Sequence, residues 1–241
     1  MASPVEQFKL KPLVPIEIGG VDLSYTNSAL FMTIAVVLVG VFLTQSMRGR
    51  HLVPNRWQSM AELSYEFIAN MVREQVGSDG RPYFPFVFAL FMFILFGNLL
   101  GMVPYSYTFT SQIIVTFAMA LAVFVGVTLV AIIRHGVHFL TFFFPSGAPI
   151  YMAPLLIPIE ILSYLSRPVS LSVRLFANMM AGHTMMKVFG GFVVALGVFG
   201  VAPMVVLLAL TGFEILVAVL QAYVFTILTC IYLRDALHLH H

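Results

Sequence analysis

Residues 167–183 read RPVSLSVRLFANMMAGH and lie inside a stretch, 149–187, that is otherwise almost wholly apolar. The polar side chains of this stretch recur every three or four residues, so they form one stripe along a helix. Polar groups inside a bilayer face protein or water, and an arginine near the midplane costs at least about 2.5 kcal/mol on insertion scales. The pattern therefore predicts a membrane helix with a functional face, on which Arg174 needs a partner. The stripe consists of Glu160, Ser163, Arg167, Ser170, Arg174 and Asn178.

The composition of the whole chain is typical of a membrane protein. Of its 241 residues, 60% are hydrophobic and 9% are charged, whereas soluble domains have about 45–50% apolar and about 25% charged residues. The same proportions exclude a disordered chain. The net charge of +2 and the scattered basic residues exclude a nucleic-acid partner. The single cysteine, Cys230, forms no intrachain disulfide, and the sequence has no metal or cofactor motif, so we expect neither group.

The apolar runs predict an all-α polytopic membrane protein that forms a single membrane domain. We expect about five membrane-embedded helices and one amphipathic surface helix. As helices, the last two apolar segments would each extend to roughly 50–60 Å, whereas the hydrocarbon core is about 30 Å thick. We therefore expect two long, strongly tilted helices packed along each other, and whether the first is one bent helix or two stays open. The segments of 1–241 are a tail at 1–27, spans at 28–47, 84–103 and 112–133, the amphipathic helix at 57–73, and the long helices at 149–187 and 201–233.

The segment 57–73 has apolar residues at helical spacing, among them Trp57, Phe67 and Met71, and charged residues on the other side. It is too charged to cross a bilayer. Two interpretations remain open: a helix that lies along the membrane surface, or a soluble connecting helix that packs against another subunit.

The basic residues that flank the spans predict the orientation of the chain. Arg48 and Arg50 follow the first span, Arg134 follows the third, and Arg234 follows the last. The positive-inside rule therefore places the N-terminus outside and the C-terminus in the cytoplasm.

The ionisable residues of the two long segments divide into two groups. Glu160 is fourteen residues from Arg174, or about 21 Å along a straight helix, which is too far for a direct pair. His183 follows Arg174 by nine residues and so points to the opposite side of that helix. On the last segment, Glu214 and Gln221 are seven residues apart and share a face. A polar stripe and a separate His183–Glu214 cluster suggest two proton paths that do not join.

Structural roles compete with these functional ones. Arg174 would be structural if it paired with Glu214, and His183 would be structural as a satisfied core histidine. The hydroxyls of Ser163 and Ser170 either bond to their own helix backbone or line a wet path. We expect Arg167 to snorkel or to pair with a neighbour, and Asn98 to form a hydrogen bond between helices.

The motifs resemble subunit a of the rotary (F-type) ATP synthase membrane sector. The resemblance rests on RPVSLSVRLFANMMAGH at 167–183, on Glu214-Ile-Leu with Gln221-Ala-Tyr, and on NLLGMVPY at 98–105. It covers nearly the whole chain, and the Arg-Leu-Phe-x-Asn-Met core is specific. The pairing of His183 with Glu214 resembles the mitochondrial and related bacterial branch of that family.

The resemblance implies a stator that provides two offset aqueous half-channels against a rotating ring of c subunits, with no catalysis by the isolated chain. Each c subunit carries a mid-membrane carboxylate, which would be the partner of Arg174. The implied partners also include the b subunits of the peripheral stalk and the lipid bilayer. The implied location is a bacterial plasma (inner) membrane, with the mitochondrial inner membrane as the second choice.

The resemblance also implies roles for individual residues. Arg174 is the electrostatic gate, and His183 with Glu214 forms the outer proton relay. Gln221 orients Arg174 from the facing helix, and Asn178 hydrates it. Glu160, Ser163 and Ser170 line the cytoplasmic path.

Two alternative functional classes are a secondary transporter and an intramembrane enzyme. A secondary transporter would use Arg174 to bind an anionic substrate, but it should show an internal repeat with interrupted helices in both halves. No repeat is visible in the sequence. An intramembrane enzyme would need a nucleophile–base pair or a metal triad at helical spacing, and the sequence offers neither.

Overall fold

The computed structural model describes residues 10–15, 17–18, 21–22, 24–48, 53–103, 106–136, 139 and 150–238. The aromatic run at 139–144, which marks a membrane boundary in the sequence, lies outside these residues except for Phe139. Within the described residues the helices are α1 (Asn27–Ser46), α2 (Arg56–Val76), α3 (Phe84–Gly101), α4 (Ile113–His135), α5 (Ala153–Ala195) and α6 (Val201–Leu237).

Among the described residues, four segments are long and apolar enough to cross a membrane: α1, Ser78–Gly101 (a short 3-10 turn that continues into α3), α4 and α6. The fifth long helix, α5, does not reach the same apolarity because it carries the polar stripe. An all-α polytopic membrane protein is therefore confirmed as the fold class. Five crossings by α1, α3, α4, α5 and α6 would leave the two termini on opposite sides of the membrane.

The segment before α1 forms two small antiparallel strand pairs that the sequence pattern did not predict. The strand β1 (Pro12–Val14) pairs with β4 (Tyr25–Thr26), and β2 (Glu17–Ile18) pairs with β3 (Val21–Asp22). The side chain of Thr26 then caps α1 by accepting a hydrogen bond from the backbone N–H of Ala29 at 3.4 Å. The described strand β4 thus leads directly into the first helix.

The helix α5 is continuous over 43 residues, with Pro158 and Pro168 inside it. The segment that the sequence left open as one bent helix or two is therefore one helix. It is about 64 Å long, so it can cross a hydrocarbon core of about 30 Å only with a strong tilt. It extends beyond residue 187, because Gly190 and Gly191 remain helical. A turn at Gly197–Gly200, in which Gly197 has a φ of 55°, reverses the chain into α6. The two long helices consequently pack along each other.

The buried core lies between α2, α3, α4, α5 and α6. Asn98 on α3 is fully buried, and its side-chain amide donates to the carbonyl of Ala218 on α6 at 3.1 Å. The predicted hydrogen bond between helices at Asn98 is confirmed. It fixes α3 against the part of α6 that lies one turn beyond Glu214.

The amphipathic helix α2 packs against the rest of the chain through Ala61, Ile68, Met71 and Val72, which are buried, whereas Trp57 and Leu63 are 64% and 65% exposed. Large apolar side chains therefore remain on the outside of α2, available to a membrane surface or to another subunit, and the two interpretations of this helix stay open. The helix bounds also differ from the predicted 57–73, since α2 extends to Val76.

Candidate functional site

Apart from Arg167, the polar stripe of α5 lies on the exposed side of the helix. The residues that α5 buries are on its other side, among them Leu171, Leu175 and Met179. Because the helix is unbroken, the sequence spacing keeps the stripe on one face. Its members Ser163, Ser170, Arg174 and Asn178 are exposed, and Glu160 is half-buried.

Arg174 stands on an apolar surface without a counter-ion. Its neighbours Val169 and Val173 are 49% and 43% exposed. Within the described residues, Arg174 makes no ion pair and no side-chain hydrogen bond. In particular it does not pair with Glu214, so the interpretation of Arg174 as a structural link to α6 is wrong. An arginine on an apolar membrane face requires a partner from outside the chain.

His183 and Glu214 meet in the interior, on the side of α5 opposite Arg174. The Nδ1 atom of His183 lies 2.5 Å from Oε1 of Glu214, and both residues are more than nine-tenths buried. Oε2 of Glu214 has no hydrogen-bond partner among the described residues. The pair can therefore share a proton and exchange it with a group that approaches Glu214.

The second nitrogen of His183 faces the connection between α3 and α4. Nε2 lies 2.9 Å from the carbonyl oxygen of Gly101 and 2.8 Å from the hydroxyl of Thr108. Sequence reasoning did not find these two partners, because they come 75 and 82 residues earlier in the chain than His183. The only available signal was the group of hydroxyl residues Thr108, Thr110 and Ser111, and no spacing rule connects it to α5.

Two glycines make the close approach to this pair possible. A Cβ on Gly182 would lie 2.7 Å from Oε1 of Glu214, and a Cβ on Gly101 would lie 2.5 Å from the hydroxyl oxygen of Thr108. Real Cβ atoms do not come this close, so any other residue would push the partner away.

A groove of about 300 Å³ lies between α5 and α6 beside Glu214. Asn178 and Gln221 line it together with Glu214, so three predicted site residues share one cavity. The polar side chains and the size of the groove are compatible with water. It extends from the buried acid to the side of α5 that carries the stripe.

The other predicted site residues are not brought together. Gln221 makes no hydrogen bond to Arg174 within the described part of the chain. Glu160 and Ser163 lie on the stripe on the far side of Arg174 from the groove, towards the start of α5. The hydroxyls of Ser163 and Ser170 have no hydrogen-bond partner among the described residues.

Arg167 forms a separate cluster at the end of the bundle. Its guanidinium lies 3.2 Å from Asp235 on α6 and over the rings of Tyr164 and Tyr232. The expectation that Arg167 pairs with a neighbour is confirmed.

Within the described ranges, no group of three His, Cys, Asp or Glu side chains is close enough to hold a metal ion.

The fold and the site define a class of protein: an all-helical, multi-pass membrane protein with an acid–base pair in its interior and a lone arginine on its outer face. Comparison with known proteins is consistent with this class. The family model described as ATP synthase A chain matches residues 29–234. The chain belongs to the ATP synthase A chain family.

Proteins named ATP synthase subunit a match along their full length. The chain is 61% identical to that of Paramagnetospirillum magneticum, with all of both chains covered. It is 57% identical to that of Rhodospirillum rubrum, again over all of both chains, and 54% identical to that of Pelagibacter ubique, over 99% of each. With bacterial relatives and several spanning helices, the chain is a multi-pass protein of a bacterial inner membrane. Nothing in these findings supports the transporter interpretation.

Proposed function

We propose that the chain is the stator subunit a of an F-type ATP synthase, which offers two offset aqueous half-channels to a rotating c-ring and so couples proton flow to rotation and ATP synthesis. The observation that carries the proposal is Arg174, an unpaired cation on an exposed apolar face. A ring of helices with one mid-membrane carboxylate each supplies both the apolar cover and the counter-ion. The names of the relatives support the same assignment.

Electrostatics explains how Arg174 acts as the gate. Two unit charges 4 Å apart attract by about 4 kcal/mol at an effective dielectric constant of 20. A ring carboxylate that reaches Arg174 is therefore stabilised in its ionised form and releases its proton. Beyond Arg174 it binds a new proton before it turns back into lipid, where the ionised form is costly. The fixed cation also repels protons, so the two aqueous paths do not connect directly.

The outer half-channel uses the buried pair. His183 and Glu214 pass protons between the outer side and the groove, and imidazole is suited to this because it exchanges protons near neutral pH. From Oε2 of Glu214 the proton reaches the groove, in which Asn178 and Gln221 hold water near the ring. Gln221 orients Arg174 when the ring is in place, through contacts that form only in the complex.

The cytoplasmic half-channel lies on the other side of Arg174. Glu160, Ser163 and Ser170 follow the exposed stripe towards the start of α5. Their side chains provide a polar path along an otherwise apolar face. A peripheral stalk of b subunits holds the subunit still while the ring turns.

ATP-driven acidification of inverted membrane vesicles tests this function. We expect Arg174→Ala to abolish acidification while the complex stays assembled, because ring carboxylates are no longer driven to release their protons. The matched control is Arg73→Ala, which removes an exposed arginine on α2 outside the spanning helices. Normal acidification by assembled Arg174→Ala complexes would refute the proposed gate.

A further inference from the structure

The partners of His183 differ in what they can do with a proton. Three of them only accept hydrogen bonds: the carbonyl of Met179, 3.0 Å from Nδ1, the carbonyl of Gly101, 2.9 Å from Nε2, and the ionised carboxylate of Glu214. The hydroxyl of Thr108, 2.8 Å from Nε2, is the fourth, and it can accept or donate. Thr108 is therefore the one described partner of Nε2 that can adapt to the protonation state of that nitrogen.

Three protonation states of the pair follow from these partners. When both nitrogens carry protons, Nδ1–H lies between Oε1 of Glu214 and the carbonyl of Met179, and Nε2–H donates to Gly101 or Thr108. When the Nδ1 proton moves to Glu214, the new carboxylic acid donates back to Nδ1. When Nε2 has lost its proton, its bare lone pair would face the carbonyl of Gly101 unless Thr108 donates to it. Only this last state, which is ready to accept a proton, depends on the threonine.

The hydroxyl group of Thr108 has a second hydrogen-bond acceptor within reach. Its oxygen lies 3.4 Å from the carbonyl of Gly101, to which it can donate when Nε2 is protonated. A rotation of one O–H bond therefore takes the hydroxyl from one state to the other without moving a heavy atom. The absence of a Cβ on Gly101 leaves room for the side chain, as the 2.5 Å clash of an added Cβ with the Thr108 oxygen shows.

The surroundings contain no competing charge. Among the described groups that contact His183, Glu214 is the only one that ionises. Thr108, Thr110 and Ser111 are buried within the same connection, and Tyr107 beside them has a pKa raised by burial, against the opposite effect of its hydrogen bond from Gln112. The phenol is thus neutral, and the connection presents only neutral hydrogen-bonding groups to Nε2.

We propose that Thr108 is a positioning residue for the proton relay: it sets the tautomer of His183 and marks Nε2 as the atom at which the pair exchanges protons with the outer side. A proton arrives at Nε2 while Thr108 turns its hydroxyl hydrogen to Gly101. The proton on Nδ1 then passes to Glu214, and transfer of the remaining ring proton from Nε2 to Nδ1 returns His183 to its starting tautomer. This inference rests on the proposed function, since it assigns a direction to the same relay.

The test compares Thr108→Val with Thr108→Ser in the intact ATP synthase. ATP synthesis by inverted vesicles is measured at a fixed potassium diffusion potential, with equal pH on both sides, over a series of pH values. Thr108→Val should lower the maximal rate and move the alkaline limb of the profile upward by about one pH unit, because loss of one hydrogen bond disfavours the deprotonated state. Thr108→Ser should restore the wild-type profile. If Thr108→Val does not assemble, Thr108→Ala provides the variant without a hydroxyl.

The control is Thr110→Val, which changes a fully buried threonine of the same connection that does not contact His183. A wild-type pH profile for Thr108→Val, or an equal shift for Thr110→Val, would overturn the inference. Two further variants, His183→Ala and Glu214→Gln, distinguish an error in the role of Thr108 from an error in the proposed outer relay. If they abolish synthesis and Thr108→Val does nothing, only the role of Thr108 is wrong; if they too have no effect, the outer relay itself is wrong.

Discussion

At the scale of single residues, the chain keeps its cation and its acid–base pair apart by using opposite sides of one helix. Arg174 is exposed on one side of α5, and His183 is buried on the other. Glu214 approaches His183 from α6 and leaves one carboxylate oxygen free to exchange a proton. Because the arginine cannot neutralise the glutamate, each remains available for a partner of its own.

Gly182 provides a prediction at this scale. Gly182→Ala would place a Cβ 2.7 Å from Oε1 of Glu214, so the carboxylate must move away from His183. We expect proton-driven ATP synthesis to fall by roughly tenfold or more, because proton transfer requires the acid and the base within hydrogen-bonding distance. The measurement is the rate of ATP synthesis per assembled complex in inverted vesicles.

The control for this substitution is Gly190→Ala on the same helix, where an added Cβ meets nothing within 4 Å. It should leave the rate unchanged. A Gly182→Ala complex as active as wild type would show that the close contact between Gly182 and Glu214 is not required.

How far the site could be predicted from sequence depends on which residues share a helix. Nine residues separate Arg174 from His183, and helical geometry alone places them on opposite sides, as the structure has them. Thr108 and Gly101 could not be predicted in this way, since they reach His183 only through tertiary packing. Spacing also cannot tell whether Gln221 contacts Arg174, because that depends on how α5 and α6 are rotated against each other.

At the scale of whole elements, the long helices were predicted and their ends were not. Apolar length and the polar stripe predicted α5, but it runs on to Ala195 because packing tolerates Gly190 and Gly191 inside the helix. The strands before α1 carried no alternating pattern, and pairs of two or three residues are too short to have one. For α2 the pattern predicted an amphipathic helix, but it could not tell a membrane surface from another subunit as the partner of its exposed apolar residues.

We expect the ion pair between Arg167 on α5 and Asp235 on α6 to hold the two long helices together at their end of the bundle. Both side chains are about four-fifths buried, and the guanidinium also covers the rings of Tyr164 and Tyr232. Arg167→Glu brings two like charges together in a site with little solvent, so we expect roughly several-fold less assembled subunit in the membrane. Quantitative immunoblotting of membranes measures this.

The reversed pair tests the cause of that loss. Arg167→Glu combined with Asp235→Arg restores opposite charges and should recover part of the assembled amount. The exposed pair of Arg134 with Asp79 is the control, since Arg134→Glu at a solvent-accessible site should have little effect. No recovery in the double variant would mean that the aromatic contacts, rather than the ion pair, hold α5 to α6.

At the scale of the whole molecule, the exposed apolar surface of α5 and α6 is the feature that a single chain cannot satisfy. Leu208, Phe213 and Leu216 on α6 are more than half exposed, and Phe213 lines the groove together with Asn178, one turn from Arg174. Lipid can cover the apolar side chains, but it offers no carboxylate to the arginine. Under the proposed function, the partner that completes this surface is a ring with a buried acid, and its rotation moves protons between the two paths.

The central claim is that Arg174 separates two half-channels, so that protons cross only when the ring turns. The most direct measurement is proton flux through the intact complex under an imposed potential, with rotation blocked by a disulfide between a cysteine in the ring and Ala177→Cys, an exposed position one turn from Arg174 on the same side of α5. Oxidation should stop the flux in the otherwise wild-type complex. In the Arg174→Ala complex we predict that flux persists after oxidation, because a stationary carboxylate can then exchange protons with both paths. Oxidised Arg174→Ala vesicles as proton-tight as the oxidised parent would contradict the account.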